Sequence, residues 1–417
     1  MLSQMIMIAR NKKLQEKLFI IIFSIYTLSS LETITMFEQI AILSLVFKVL
    51  RYLTYVFFLW FAFVFLLNLR TYDLKNNIRL SQIIKNLSEE LIQRPIIIIA
   101  IVISFCVLIV SKNRLPLIVT LILIGSSQFN FKNIIKYTLM INVLLTFITI
   151  ICSELKFIPE IIIAREDGTL RYSLGFVYPL ELMCNYLFII MMYIYDHSQS
   201  FSFKDVVVIN IINILLFKLT DARTSFILIM LISMVAYFFN KIDINHFFNF
   251  IKKWALCFFA LVCSFGSIAL SWFYSDSNLL LVYINNLLSG RLLLGHQGLN
   301  EFGLSLFGKQ IEWVGFGAQT DLNYASQNYN FVDCSYTKNL LDFGVIFFIL
   351  IIIGYIYILI SLYNQKNIMG IIVICFILIV SIVEPRLFQI EMNPFLILMG
   401  SGLTKKISFR EEIKHEI

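Results

Sequence analysis

Four short segments of this chain set arginines beside carboxylates, tyrosines or glycines. The first is Glu154 to Tyr178, with Arg165-Glu166-Asp167-Gly168 and then Arg171-Tyr172-Ser173-Leu174-Gly175-Phe176. The second is the turn Thr220-Asp221-Ala222-Arg223-Thr224-Ser225. The third opens at Ser289-Gly290-Arg291-Leu292 and closes at Val332-Asp333-Cys334-Ser335-Tyr336, and the fourth is Glu384-Pro385-Arg386. A planar guanidinium stays charged and grips phosphate through two parallel hydrogen bonds. Arg165, Arg171, Arg223, Arg291 and Arg386 are therefore candidates for holding an anionic group. A carboxylate within reach of a hydroxyl can orient or deprotonate it. Asp333, Asp221 and Glu384 fit that role, and His296 is a lesser candidate. The bland alternative is that these carboxylates form structural ion pairs with their arginines, as most such neighbours do.

The elements that must position these groups are apolar helices. Hydrophobic residues make up 59% of the 417-residue chain and charged residues 14%. Soluble domains hold about 45–50% apolar and about 25% charged residues. Lipid forces backbone polar groups to pair within a segment, and the apolar runs here have helix length. The expected fold is an all-α polytopic membrane protein, a single integral domain over residues 1–417. Apolar runs near 17–33, 39–69, 95–111, 115–128, 134–153, 179–195, 205–219, 224–240, 254–274, 340–361, 368–383 and 392–404 suggest about twelve transmembrane helices. The segment from Arg10 to Leu31 resembles a signal peptide without a small-residue cleavage site, and reads as an uncleaved first helix. The second run is long and contains Lys48 and Arg51. Residues 39–50 are expected along the interface, with the crossing starting near Arg51 and both stems snorkelling.

With the N-terminus inside, 20 lysines and arginines fall in inside loops and 10 in outside loops. That bias places both termini in the cytoplasm and leaves two larger extracytoplasmic loops, 154–178 and 275–339. The net charge of +7 then reflects topology, and nucleic-acid binding is not expected. The second loop is a polar island holding seven of the sixteen glycines. Its leucine-rich start, 278–294, reads as an interfacial helix broken at Ser289-Gly290. Tyr172, Trp313 and Tyr324 could stack on sugar faces, or Trp313 could anchor its loop. Arginines outside run against the usual charge preference and ask for a fixed anionic partner. The sequence shows no D-x-D element, no phosphate-cradling glycine loop and no metal-ligand spacing; Glu166-Asp167 is its nearest approach to an acidic metal site. Metal-free chemistry without a cofactor is expected. The seven cysteines imply no disulfide framework.

At these residues the chain resembles the Wzy-type polysaccharide polymerases of O-antigen and capsule assembly, which are related to O-antigen ligases. The similarity rests on Arg171-x-Ser173-x-Gly175-Phe176, on Asp221-Ala222-Arg223-Thr224-Ser225, and on Gly290-Arg291-Leu292 followed by Leu306-Phe307-Gly308. It extends to Val332-Asp333-x-x-Tyr336 leading into Leu340-Leu341-Asp342-Phe343-Gly344. Tyr178-Pro179-Leu180 stands where such proteins often carry a His-Pro-Asn element, and Cys334 where they often carry Asn.

The resemblance implies a GT-C-like glycosyltransferase of the bacterial cytoplasmic membrane, acting on polyprenyl-diphosphate-linked oligosaccharides. It implies that Arg171, Arg223 and Arg291 hold the departing diphosphate, that Asp333 acts on the acceptor hydroxyl, and that Tyr336 assists. Arg165, Arg386, Glu384, Asp221 and His296 would line the substrate site. The bilayer and other assembly proteins, such as a chain-length regulator or a flippase, would be its partners. A ligase, or a transporter of lipid-linked oligosaccharides, are the alternative readings.

Overall fold

The computed structural model describes residues 11–67, 91–165, 168–242, 244, 247–248, 251–317 and 327–405. Fifteen α-helices succeed one another among them, with one short hairpin. Helices α1 (Lys12–Leu31), α2 (Ala41–Leu67), α3 (Pro95–Ser111), α4 (Leu115–Ser126) and α5 (Phe131–Glu154) come first. A hairpin of β1 (Ile162–Ala164) and β2 (Leu170–Tyr172) follows, then α6 (Pro179–Asp196), α7 (Phe203–Thr220) and α8 (Arg223–Asn240). Helices α9 (Lys253–Leu261) and α10 (Ser267–Trp272) run together through a π-helical turn at Val262–Gly266. The island holds α11 (Leu279–Leu287) and α12 (Arg291–Phe302); α13 (Ser335–Asn364), α14 (Ile368–Val380) and the short α15 (Gly400–Leu403) complete the order.

Each of the twelve apolar runs contains helix, so the elements follow hydropathy closely. Among the described residues, six helical stretches are long and apolar enough to cross a membrane: Lys12–Ile34, Ala41–Leu67, Phe131–Glu154, Arg223–Asn240, Lys253–Trp272 and Ser335–Asn364. The difference from the expected twelve is one of length for the shorter runs, whereas α6 and α7, at 18 residues each, match α8 in length and fall short in apolar composition. At 1.5 Å per residue, the 12 residues of α4 reach only about 18 Å against a hydrocarbon core of about 30 Å. Helices α6 and α14 are buried nearly all round and form the centre of the bundle.

Polar side chains inside the bundle find partners on their own or neighbouring helices. Ser104 on α3 meets Thr120 on α4 at 2.9 Å, Asn185 on α6 donates to Thr146 on α5 at 2.8 Å, and Asn210 on α7 donates to Ser233 on α8 at 2.9 Å. Such bonds hold helices together where lipid offers no hydrophobic drive. Glycine allows the closest approach: a Cβ at Gly400 would lie 2.3 Å from the Leu123 carbonyl oxygen.

The second apolar run differs from expectation. Helix α2 is unbroken from Ala41 to Leu67, and Arg51 does not snorkel. Its guanidinium donates to the Ser29 carbonyl and pairs with buried Glu32 at 3.4 Å. The carboxylate explains the change, since a charge inside the bundle needs a partner of opposite sign.

Helix direction alternates, so the segments singled out in the sequence gather at one end. Met36 N–H donates to the Gly175 carbonyl and Val177 N–H to the Ile34 carbonyl, joining the α1–α2 loop to the loop before α6. At the other end Gln128 meets Gln15, Asn133 meets Glu16, and Asn240 caps the Phe201 carbonyl.

Candidate active site

Arg291 is held at the first turn of α12. The break before it is built by Ser289 and Gly290, whose φ values of +55° and +84° end α11 and redirect the chain. Its Nε donates to the Val383 carbonyl at 2.7 Å and its Nη1 to the Leu288 carbonyl at 3.2 Å. Two carboxylates face the same guanidinium, Glu384 at 3.6 Å and Asp333 at 3.8 Å. Ser335, the first residue of α13, fixes the Glu384-Pro385-Arg386 turn beneath them. Its hydroxyl donates to the Glu384 carbonyl at 2.5 Å and accepts from Leu387 N–H at 3.0 Å. Arg386 then reaches across to Glu181 on the first turn of α6 and donates to Gln389 Oε1 at 2.7 Å.

This network mixes two buried guanidiniums with three carboxyl groups, and burial acts on two of the carboxyls. Loss of water pushes the Glu384 carboxyl up to about 8, against the opposing pull of Arg291, with Asp333 adding to the rise. Burial also raises Asp333, opposed by Arg291 and Arg386. A neutral Glu384 leaves Arg291 more of its positive field than the count of neighbouring acids suggests.

A second group lies over the α7–α8 turn. Asp221, in the left-handed region at φ +44°, ends α7 and carries two guanidiniums: Arg165 at 2.7 Å and Arg223 at 3.3 Å. Arg171, on β2, donates from Nε to the Thr220 carbonyl at 2.8 Å and lies over the Tyr178 ring at 5.3 Å. Ser173 closes the hairpin, accepting from Ile161 N–H at 3.0 Å, and Gly175 has no room for a side chain, because a Cβ would lie 2.9 Å from the Thr149 carbonyl oxygen. The motif around Arg171 is thus largely architecture that aims one arginine.

Tyr329 joins the two groups, since its hydroxyl lies within electrostatic reach of Asp333, Tyr178 and Arg291. It also lines a cleft of about 480 Å³ beside Gln297, Asn300, Glu301 and Asn330, and its ring stacks on Phe316 at 5.0 Å. Leu294, Gly298 and Glu301 continue the stripe of α12 that begins at Arg291, so the cleft runs away from the ionic network along one helix face.

The remaining candidates lie elsewhere. Tyr336 is fully buried, and its hydroxyl donates to the Leu378 carbonyl at 2.7 Å, so it faces the bundle and not the network. His296 turns to α10, with Nδ1 3.0 Å from the Ser271 carbonyl and Nε2 2.8 Å from Asn300. Trp313 donates to Asp342 at 2.8 Å under the Lys338 ammonium, and so anchors its loop. Tyr172 packs beside Leu174 and Phe176. Glu166, Asp167 and Tyr324 lie outside the described residues.

Two further motifs interlock. Lys309 N–H donates to the Leu341 carbonyl, and Val345 and Ile346 donate to Ser305 and Leu306. The exchange is open because Gly344 breaks the helical path of α13 at φ +80°. A Cβ on Gly308 would sit 2.1 Å from the Asp342 carbonyl oxygen.

Sequence reasoning did not single out Glu181 or Tyr329, and named Tyr178 only as a departure from the family motif. Glu181 had a usable signal, a carboxylate on the first turn of an otherwise apolar helix. Tyr329 had none, because its importance comes from a long-range fold. Among the described residues no group of three or more His, Cys, Asp or Glu side chains is placed to hold a metal ion. Comparison of the chain with protein-family models, with curated proteins and with solved structures finds no match.

Proposed function

We propose that this chain is a membrane polysaccharide polymerase of GT-C-like arrangement. It would join polyprenyl-diphosphate-linked oligosaccharides at the outer face of a bacterial cytoplasmic membrane. The observation that carries the reading is the convergence of Arg291, Asp333, Glu384, Arg386 and Glu181 at one end of an apolar bundle, beside a cleft lined by amides and an aromatic ring. The Wzy-type motifs support it, since Arg171-x-Ser173-x-Gly175 and Gly290-Arg291 both deliver arginines to that end.

In this reading the cleft takes sugar units, whose hydroxyls suit the amides of Gln297 and Asn300 and whose faces suit Tyr329. The acceptor hydroxyl oxygen forms a bond to the anomeric carbon of the donor. The anomeric carbon–oxygen bond to the diphosphate breaks, and the leaving diphosphate takes the electron pair. Arg291, with Arg171 across Tyr178 and Tyr329, stabilises that developing charge from fixed positions in a poorly hydrated site. Asp333 is the more accessible carboxylate and takes the hydroxyl proton, while Glu384 and the Val383 carbonyl hold Arg291 in place.

The test is a reconstituted reaction. Purified protein given lipid-linked repeat units yields a ladder of longer glycans, whereas a ligase gives single transfers and a carrier gives no new bond. Arg291→Ala leaves single repeats unextended while the protein remains folded in the membrane. Full-length product from that variant refutes the site.

A further inference from the structure

Away from this network, the outer half of α2 carries a second cationic site. Lys48, Arg51, Tyr52 and Tyr55 follow one another at helical spacing, forming a single stripe. Arg114, in the turn between α3 and α4, reaches over that stripe. It donates to the Tyr52 hydroxyl at 2.8 Å and lies 4.9 Å from the Tyr52 ring centre and 6.0 Å from that of Tyr55. Lys48 and Arg51 are both within electrostatic reach of the same phenol.

The charges there are unequal. Arg51 is matched by Glu32, but neither Lys48 nor Arg114 forms an ion pair among the described residues. Both side chains are exposed. Val49, Leu53 and Val56 beside them are exposed too, at 50–65%. Apolar residues so exposed on a helix long enough to cross a membrane face lipid. With one edge nitrogen given to the Tyr52 hydroxyl, the remaining N–H groups of the Arg114 guanidinium match the oxygens of a phosphate. The patch lies at the same end of the bundle as the active-site candidate. Glu391 links the two, lying within electrostatic reach of both Arg386 and Arg51.

We propose that Arg114 and Lys48, on the shelf formed by Tyr52 and Tyr55, bind the phosphate of a lipid lying in the outer leaflet. The geometry stands whatever the reaction, but under the proposed function it has a specific meaning. Both substrates of a repeat-unit polymerase are tethered to lipid diphosphates, and the arginine network accounts for one. The α2 patch would seat the other and bring its glycan over the same end of the bundle.

The experiment titrates the full-length protein in neutral detergent with farnesyl diphosphate or with phosphatidylglycerol, reading bound lipid by native mass spectrometry. The wild type takes up two equivalents of the diphosphate. The K48Q/R114Q variant loses one, with at least a ten-fold weaker second step, while R291A loses the other. If phosphatidylglycerol fills the α2 patch as well as the diphosphate does, the phosphate of an ordinary phospholipid is its occupant. If the diphosphate alone fills it, the occupant is a lipid-linked substrate. Binding curves for K48Q/R114Q that superimpose on the wild type, with an unchanged melting temperature, overturn the proposal. So does a wild type that binds one equivalent, removed by R291A alone. An R291A variant that binds normally would count against the proposed function only, and leave this site standing.

Discussion

Replacing Glu384 by glutamine gives the sharpest test of how burial sets charge in the network. The carboxyl is buried, its Oε1 faces Arg291 at 3.6 Å, and its own backbone carbonyl, not its side chain, holds Ser335. Glutamine keeps the shape and an acceptor for Arg291 but cannot ionise. Moving the group from 4.5 to about 8 corresponds to roughly 5 kcal/mol of preference for the neutral form. The sign follows from proton counting. Between 4.5 and about 8 the unfolded chain has lost this proton and the folded chain retains it, so stability falls as pH rises through that window. Below the window both states are protonated, and above it both are ionised and the loss is complete. Wild type and E384Q should therefore melt together near pH 4.5. At pH 9 the wild type should melt lower, by roughly 6 °C when soluble-protein entropies are scaled to a chain of this length. The assay is thermal unfolding in detergent, followed by tryptophan fluorescence across pH 4.5 to 9. Parallel curves for the two proteins would show that water reaches the carboxyl or that Arg291 keeps it ionised, and the account of the network would fail.

Three further outcomes can be checked. Arg386→Ala strands Glu181 in the bundle and should cost about 3–5 kcal/mol of stability, with R386A/E181Q recovering much of it in the same melting assay. Tyr336→Phe removes one buried hydrogen bond, worth about 1 kcal/mol, and should leave glycan extension within about two-fold of wild type, whereas Asp333→Asn should abolish it. Gly308→Ala drives a Cβ into the Asp342 carbonyl and should prevent recovery of monodisperse protein; Gly168→Ala, at a similar φ of +82° but in open space, should cost only about 1–2 kcal/mol.

Much of the helical frame is legible in the sequence because lipid imposes one rule on every segment. Runs such as 95–111 and 224–240 emerge as helices with nearly unchanged limits. The arginine-bearing segments are legible for a related reason, since charges are rare in such a chain. What cannot be read is which charges meet. Arg291 and Glu384 lie 93 positions apart, and only the return of α14 to the same end brings them to 3.6 Å. Arg51 shows the opposite failure: snorkelling is a sound default for a lone charge, and Glu32 on the neighbouring helix overrides it. The short hairpin at Ile162 to Tyr172 carries no strong strand pattern and follows from Ser173 and Gly175 closing the chain on itself.

The clasp between Leu306-Phe307-Gly308 and the kink at Gly344 bears on how the protein is made. Ser305 and Leu306 have carbonyls that wait for amides about forty residues further along the chain. The Leu306-Phe307-Gly308 segment cannot adopt its final form when it is first made. It must remain open until the segment around Gly344 has emerged and bent, and only then can Arg291 meet the Glu384 turn that follows. Assembly of this end of the bundle therefore waits for the chain through Glu384, and chains stopped short of it should be the ones that quality-control proteases remove.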